Sequence, residues 1–316
     1  MSGSGPIVLG TRGSDLARTQ TSIVERALHE RYPDLEVAIE IITTRGDENS
    51  RHAAEPVDRK AGRKGLFTGE IEHALVEGRI DVAVHSAKDL PSQETAGLQI
   101  CAALPRAPVD DVLITKSAAT IWDLPRGAVV ATGSVRRRHQ LQWTRRDLNV
   151  VELRGNVPTR LRKLTENDWA AIILARAGLS RLGFESSHDE ITFNAHAFRT
   201  YILPHDDFLP AGGQGIVALQ VRSDDERLGA AVAALNDEQT LLCLRAERDF
   251  LRRLDGDCDS PVGVLATIER GELTLQSQVF ADGEAAPQTG KVRIRADQRP
   301  EDAAAALFQW MYGQKK

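Results

Sequence analysis

Apolar residues recur along the first hundred positions in two alternating rhythms. Short apolar runs at 8–11 (VLGT), 36–44 (EVAIEIITT) and 81–86 (DVAVHS) have the length of strands. Between them, Ser14 to Tyr32 and 66–78 (LFTGEIEHALVEG) space apolar residues three and four apart, which predicts helices, the first capped by Ser14. Strand, helix, strand in this order is the pattern of a parallel, doubly wound sheet. Residues 45–65 are polar and weakly periodic, too long for an ordinary connection inside a compact domain, so they are either a mobile lid or a plain insertion. A second alternation begins near Asp111, with strands predicted at 111–115, 128–133, 149–155, 170–175 and 216–221. Within it, 185–207 reads as a long irregular stretch leading into LPAGGQG (209–215). The rhythm then changes: a helix over about 237–254, antiparallel strands at 262–269, 272–280 and 291–296, and a last helix from Pro300 to Trp310 predict a small α+β unit.

Composition narrows the class. A chain of 316 residues can bury two or three cores. Its net charge of −5, with no basic tail, argues against a nucleic-acid binder. No apolar stretch approaches the roughly 18 residues of a membrane span, and the first residues carry no signal-peptide pattern. Three cysteines, an odd number far apart, fit a reducing compartment, so a cytoplasmic protein is expected. Cys101, in a predicted strand, and Cys243, on the apolar face of a predicted helix, read as inert core residues. Cys258 sits in the polar loop LDGDCDSPVG, where packing gives no reason for a thiol; it is a functional group or a surface accident.

Arginines stand where electrostatics disfavours them. Helix N-termini carry partial positive charge and favour acidic residues by about 0.3–1 kcal/mol each. Here Arg12 precedes the helix capped by Ser14, Ser134 precedes Val135 and three arginines, Arg136, Arg137 and Arg138, and Arg154 precedes the predicted cap Asn156, with Arg160 in the turn that follows. Each start follows a strand and so lies at the carboxyl edge of a sheet, where open α/β folds bind ligands. Backbone N–H groups and guanidinium forks together make an anion site, against the alternative of three solvated basic faces. No P-loop, dinucleotide fingerprint or metal-ligand cluster of the eight histidines accompanies them. Asp89, in HSAKDLP after a strand, is placed to remain ionised among arginines and to steady a developing cation. Spacing alone favours a turn-capping aspartate.

The same segments resemble the porphobilinogen deaminases (hydroxymethylbilane synthases). Nine blocks carry the resemblance in order: TRGS (11–14), TRGD (44–47), KAGRKGLF (60–67), DVAVHSAKDLP (81–91), TGSVRRR (132–138), LRGNVPTRL (153–161), AIILARAGLSRLG (171–183), LPAGGQG (209–215) and LDGDCDSPVG (254–263). The resemblance implies two doubly wound α/β domains like type II periplasmic binding proteins plus a small α+β domain. The implied bounds are 1–105 with 208–230 (lid 45–65), 106–207, and 231–316. It implies a dipyrromethane cofactor joined to Cys258 as a thioether, with Ser14, Lys88, Thr132, Ser134, Arg136, Arg137 and Arg160 binding it. It further implies that Arg12, Arg154, Arg181, Gln214 and Phe67 bind substrate, that Lys60 and Lys64 belong to the lid, and that Asp89 is catalytic. Porphobilinogen would lose ammonia to give a cationic azafulvene, which the free α-carbon of the growing chain attacks until water releases hydroxymethylbilane. A monomer, free of membrane and nucleic acid, is the expected state. The sequence departs from the family pattern at Asp257 and Asp259, which flank Cys258 and should raise its thiol pKa, and at Gly133, where a serine is usual.

Two other readings stand beside this one. A non-enzymatic anion-binding protein explains the arginines but neither Cys258 nor the last 80 or so residues. An inactive relative fits the Asp-flanked cysteine but not the retained Asp89.

Overall fold

The computed structural model describes residues 5–44, 68–184, 189–255, 260–281 and 286–313. The region predicted as a lid, with Lys60, Lys64 and Phe67, and the loop holding Asp257, Cys258 and Asp259 lie outside the described residues.

In chain order the first elements are β1 (Ile7–Arg12), α1 (Asp15–Arg31), β2 (Val37–Ile42), α2 (Gly69–Val76), β3 (Val82–Ser86), a 3-10 turn (Ala87–Asp89), β4 (Leu98–Ala103) and β5 (Asp111–Thr115). Then come β6 (Val129–Ala131), α3 (Val135–Thr144), β7 (Asn149–Val151), α4 (Val157–Glu166), β8 (Ala171–Ala175), α5 (Arg176–Arg181), β9 (Glu190–Phe193) and β10 (His196–Ile202). The chain finishes with β11 (Val217–Arg222), α6 (Glu226–Ala233), α7 (Glu238–Arg253), β12 (Val262–Glu269), β13 (Glu272–Val279), β14 (Gln288–Arg295) and α8 (Pro300–Tyr312).

Three sheets organise these elements. The first has the order β2-β1-β3-β11-β4, the second β7-β6-β8-β5-β10-β9, and the third β12-β13-β14. The first sheet is mixed, which corrects the expectation of a parallel sheet. β1 runs parallel to β2 and β3, while β11 returns from far along the chain and pairs antiparallel with both β3 and β4. The second sheet mirrors it: β6 is parallel to β7 and β8, and β5 lies antiparallel between β8 and β10. Among the described residues the first sheet therefore contains one reversed strand, β11, and the second contains two, β5 and β9; β11 and β5 each lie next to a crossing of the chain between units.

Period-two burial explains why the strands form. Val82 and Val84 enter the core shared with α1 and α6, while the intervening Ala83 faces the core under α2. In the second sheet Ile172 and Leu174 pack with α4 and α5, and Ala171 and Ile173 with α3 and Phe208. Both faces are covered, so these strands read as continuous apolar runs. In the third unit Phe250 and Ala246 of α7 and Leu307 of α8 cover one face of the antiparallel sheet.

Two further elements depart from the sequence reading. The stretch expected to be irregular contains the β9–β10 hairpin, which closes the second sheet at its edge. Its exposed positions alternate with buried Ile191, Phe198 and Thr200, too sparse an apolar signal to stand out. Helix α6, capped by the Asp225 side chain, was not anticipated.

Candidate functional site

The local chemistry of the helix starts is as expected. The side chains of Ser14, Ser134 and Asn156 cap α1, α3 and α4, accepting from Ala17, Arg137 and Thr159 N–H respectively. Thr132 Oγ1 in turn accepts from Ser134 N–H at 3.3 Å.

Helix α3 inverts ordinary amphipathicity, because its buried residues are Arg136, Arg137, Gln140 and Leu141. Their partner is Asp111, fully buried at the start of β5. Arg137 Nη2 donates to Asp111 Oδ1 at 2.7 Å, and Arg136 Nη1 lies 2.8 Å from Oδ2, a contact that misses hydrogen-bond geometry. Arg136 also donates to Leu209 O and Gln140, and Arg137 to Ile173 O. Burial by itself would raise the Asp111 carboxyl; the two guanidiniums outweigh it and hold it well below the usual carboxylate range. Gln214, 1% exposed, gives its amide to Val109 O at 2.6 Å and Asp111 Oδ1 at 2.8 Å.

This cluster carries more positive than negative charge. Arg136 and Arg137 are 4% and 5% exposed, and the Nε of each lacks a partner among the described residues. Arg160, half-buried, donates to Gly155 O, and burial next to Arg137 pulls its guanidinium down to about 10. Lys88 stands in the same field. Burial, with Arg137 and Arg160 nearby, brings its ammonium down to about 8 against the pull of Asp89 and Asp111. Buried donors without partners are costly, and anionic groups entering here would satisfy them.

The turn 87–89 contributes to the walls of two cavities. One, with about 500 Å³ of empty space, is lined by Lys88, Ser134 and Arg136, and by Ser92, Arg248 of α7 and Ser260. Ser260, in the wall of this cavity, lies two residues beyond Cys258 in the sequence. The other, of about 420 Å³, is lined by Arg12, Ser14, Gln20, His85, Ser86 and Asp89 among others. Gln20 is 2% exposed; its Oε1 accepts from Ser86 Oγ at 2.9 Å and its Nε2 has no partner among the described residues. Arg181 and Arg154 stand apart, the first donating to Gly215 O at 2.7 Å and the second, exposed, to Glu152.

The LPAGGQG loop seats the turn. Gly213 has φ +74°, and a Cβ there would come within 3.0 Å of Ala87 and Lys88 backbone atoms, so glycine is required for this approach. Sequence reasoning missed Arg248, Gln20, His85 and Ser92. Arg248 had one available signal, a basic residue on the mostly apolar buried face of α7; burial lowers its guanidinium, with Glu94 and Glu72 opposing. Cys101 and Cys243 are both pushed up to about 12 by burial, consistent with inert thiols. Among the described residues there is no group of three or more metal-ligating side chains, and no helix long and apolar enough to cross a membrane.

Two family models match the chain: "Porphobilinogen deaminase, dipyromethane cofactor binding domain" over residues 7–230, and "Porphobilinogen deaminase, C-terminal domain" over 241–311. A porphobilinogen deaminase of Roseiflexus sp. (strain RS-1) is 44% identical over 275 residues, 87% of this chain and 86% of that protein. One of Chlorobaculum parvum is 39% identical over 301 residues, covering 95% and 91%. Among solved structures, the methionine binding protein MetQ aligns at 14% identity and TM-score 0.44, covering 74% of this chain and 91% of that one. A Salmonella typhimurium periplasmic binding protein described for high arginine specificity aligns at 14% and 0.40, covering 75% and 94%.

Proposed function

The chain belongs to the porphobilinogen deaminase family, and from that premise we propose how its residues divide the reaction. The protein is a transferase that deaminates porphobilinogen and joins the pyrroles head to tail, releasing hydroxymethylbilane. The observation that carries the division of labour is the Lys88–Asp89 turn, which contributes Lys88 to the wall of one cavity and Asp89 to the wall of another.

The dipyrromethane cofactor supplies the pyrrole α-carbon on which the chain starts. Lys88, Ser134 and Arg136 line the cavity that Ser260 borders, which supports assigning them to the cofactor's carboxylates and Cys258 to its thioether bond. The unpartnered Nε atoms of Arg136 and Arg137 are donors such carboxylates can use. Thr132 and Ser134 hold the start of α3 through hydrogen bonds, and Arg160 adds positive charge beside Lys88. In the other cavity Asp89, Arg12 and Ser14 receive the incoming pyrrole. The Asp89 carboxylate stabilises positive charge as the aminomethyl C–N bond breaks, while Arg12 and the Ser14 hydroxyl orient acid side chains. Arg181, Arg154 and Gln214 belong to this reading as substrate binders, Phe67 as part of the pocket, and Lys60 and Lys64 as lid residues. Arg181 supports the return crossing through Gly215. The domain division is 1–105 with 208–230, 106–207 and 231–316, in a monomer of the cytoplasm. A protein that only bound anions would leave Asp89 and the third unit without a task.

Two measurements test this. The intact mass of the purified protein should exceed the sequence mass by a dipyrromethane, and Cys258→Ser should lack the increment. Asp89→Asn should fold normally and release ammonia from porphobilinogen about 10²–10³-fold more slowly; undiminished release would remove Asp89 from its role.

A further inference from the structure

The reaction above leaves unused a chain of buried polar groups that ends in the cavity holding Asp89. Glu72 on α2 accepts from Thr95 Oγ1 at 2.9 Å and from Gln220 Nε2 at 3.0 Å. With its amide nitrogen committed to Glu72, Gln220 turns its Oε1 toward His85 Nε2, 3.0 Å away. A carbonyl oxygen can only accept, so His85 Nε2 carries the proton and donates. His85 is 3% exposed, and burial brings its imidazole down to about 4, with Gln220 opposing and Arg248 and Arg12 adding to the fall. The ring is therefore neutral at physiological pH, and Nδ1 is a lone-pair acceptor with no protein partner among the described residues.

That acceptor belongs to a residue in the wall of the Asp89 cavity, four positions before Asp89 itself. Arg12, the Ser14 hydroxyl and the unpartnered Gln20 Nε2 line the same space and suit carboxylates. Porphobilinogen also brings a cationic aminomethyl group, which those donors repel or ignore. Asp89 and His85 are the lining residues whose carboxylate and ring lone pair can accept from it.

We propose that His85 is the hydrogen-bond acceptor for the aminomethyl ammonium of the incoming pyrrole, and that Glu72 and Gln220 are positioning residues that fix its tautomer. This rests on the deaminase reading and deepens it. In the step concerned the aminomethyl C–N bond breaks, its electron pair leaves with the nitrogen as ammonia, and the positive charge stays on the pyrrole. His85 takes no proton. A neutral acceptor orients the ammonium while stabilising the ground state less than a second carboxylate would. The effect accordingly falls on binding rather than on bond breaking.

The test compares porphobilinogen with the analogue whose aminomethyl group is replaced by hydroxymethyl, in the wild-type holoenzyme and in His85→Phe. A hydrogen bond to a charged group is worth about ten- to a hundredfold, one to a neutral group about threefold. In His85→Phe, KM for porphobilinogen should rise about tenfold or more with kcat little changed, and KM for the analogue about threefold or less. Gln220→Leu, which frees the ring without altering the groups that line the cavity, should give the same split at smaller amplitude and covers the case in which His85→Phe does not fold. Nitrogen-15 spectra of histidine-labelled wild type should show His85 neutral and protonated on Nε2 at pH 6, in the field of Glu72, Asp89, Arg12 and Arg248. An Nδ1–H tautomer, a charged ring, or equal rises for both pyrroles would overturn the proposal. A wild type that released no ammonia would take the deaminase reading with it; an active wild type with unsplit variants would overturn this inference alone.

Discussion

Two buried carboxylates anchor charge networks in this protein, and they are built differently. Glu247 of α7 is fully buried, with Arg106 chelating it at 2.7 and 3.1 Å and the N–H groups of Gly213 and Ala266 donating to it at 2.7 Å each. One cation meets one anion, and both oxygens are satisfied by four donors. This closed junction ties the third unit to both crossings between the α/β units. Asp111 is equally buried but faces two guanidiniums, with Lys88 and Arg160 in the same field and two Nε atoms unpartnered among the described residues. The first junction is complete within the protein. The second has surplus positive charge and unused donors, which is the electrostatic form of a site for a polyanionic ligand. A buried charge network thus marks a binding site where its sum fails to close, and a structural joint where it does.

That contrast can be broken at several points. Glu247→Ala leaves Arg106 buried without its counter-ion and should lower the unfolding free energy by about 3–5 kcal/mol in urea denaturation; a loss below about 1 kcal/mol would deny it a structural role. Asp111→Asn should lose about 3 kcal/mol, and part of that loss should return on adding propionate, which should do nothing for Glu247→Ala. The sign of its pH dependence follows from the direction of the shift. The folded Asp111 carboxyl lies below its unfolded value, so its contribution is complete above about pH 4 and drains as pH falls further. The acid limb of the stability curve should flatten in Asp111→Asn.

Gly133 bears on the same cluster at smaller amplitude. A Cβ there would sit 2.4 Å from Leu153 O, so the loops before α3 and α4 touch only because the residue is glycine. Gly133→Ser should lower thermal stability by about 1–3 kcal/mol through overpacking and reduce cofactor retention as read by intact mass. The smallest effect has the opposite sign. The folded Lys88 ammonium lies near 8, below its unfolded value of 10.5. Its charge therefore costs stability at neutral pH, and the cost disappears as pH rises from about 8 through 10.5. Lys88→Met in the Cys258→Ser background should gain about 1 kcal/mol, and the same change in the intact protein should impair product formation.

What could be read from the chain alone was local. The caps Ser14, Ser134 and Asn156 bond to N–H groups three residues on, and strand and helix periods repeat within a dozen positions, so both were legible before any folding. The arginines at the helix starts were visible for the same reason, and nine ordered blocks placed the family. What the chain could not show was where distant residues meet. Antiparallel insertion of β11 between β3 and β4, the pairing of β10 with β5, and the arrival of Arg248 and Ser260 beside Lys88 depend on contacts between residues many tens of positions apart. So does the commitment of Arg136 and Arg137 to Asp111, which made two expected ligand contacts part of the framework as well. Short-range hydrogen bonds and side-chain periodicity are properties of a segment; charge balance and burial are properties of the assembled fold.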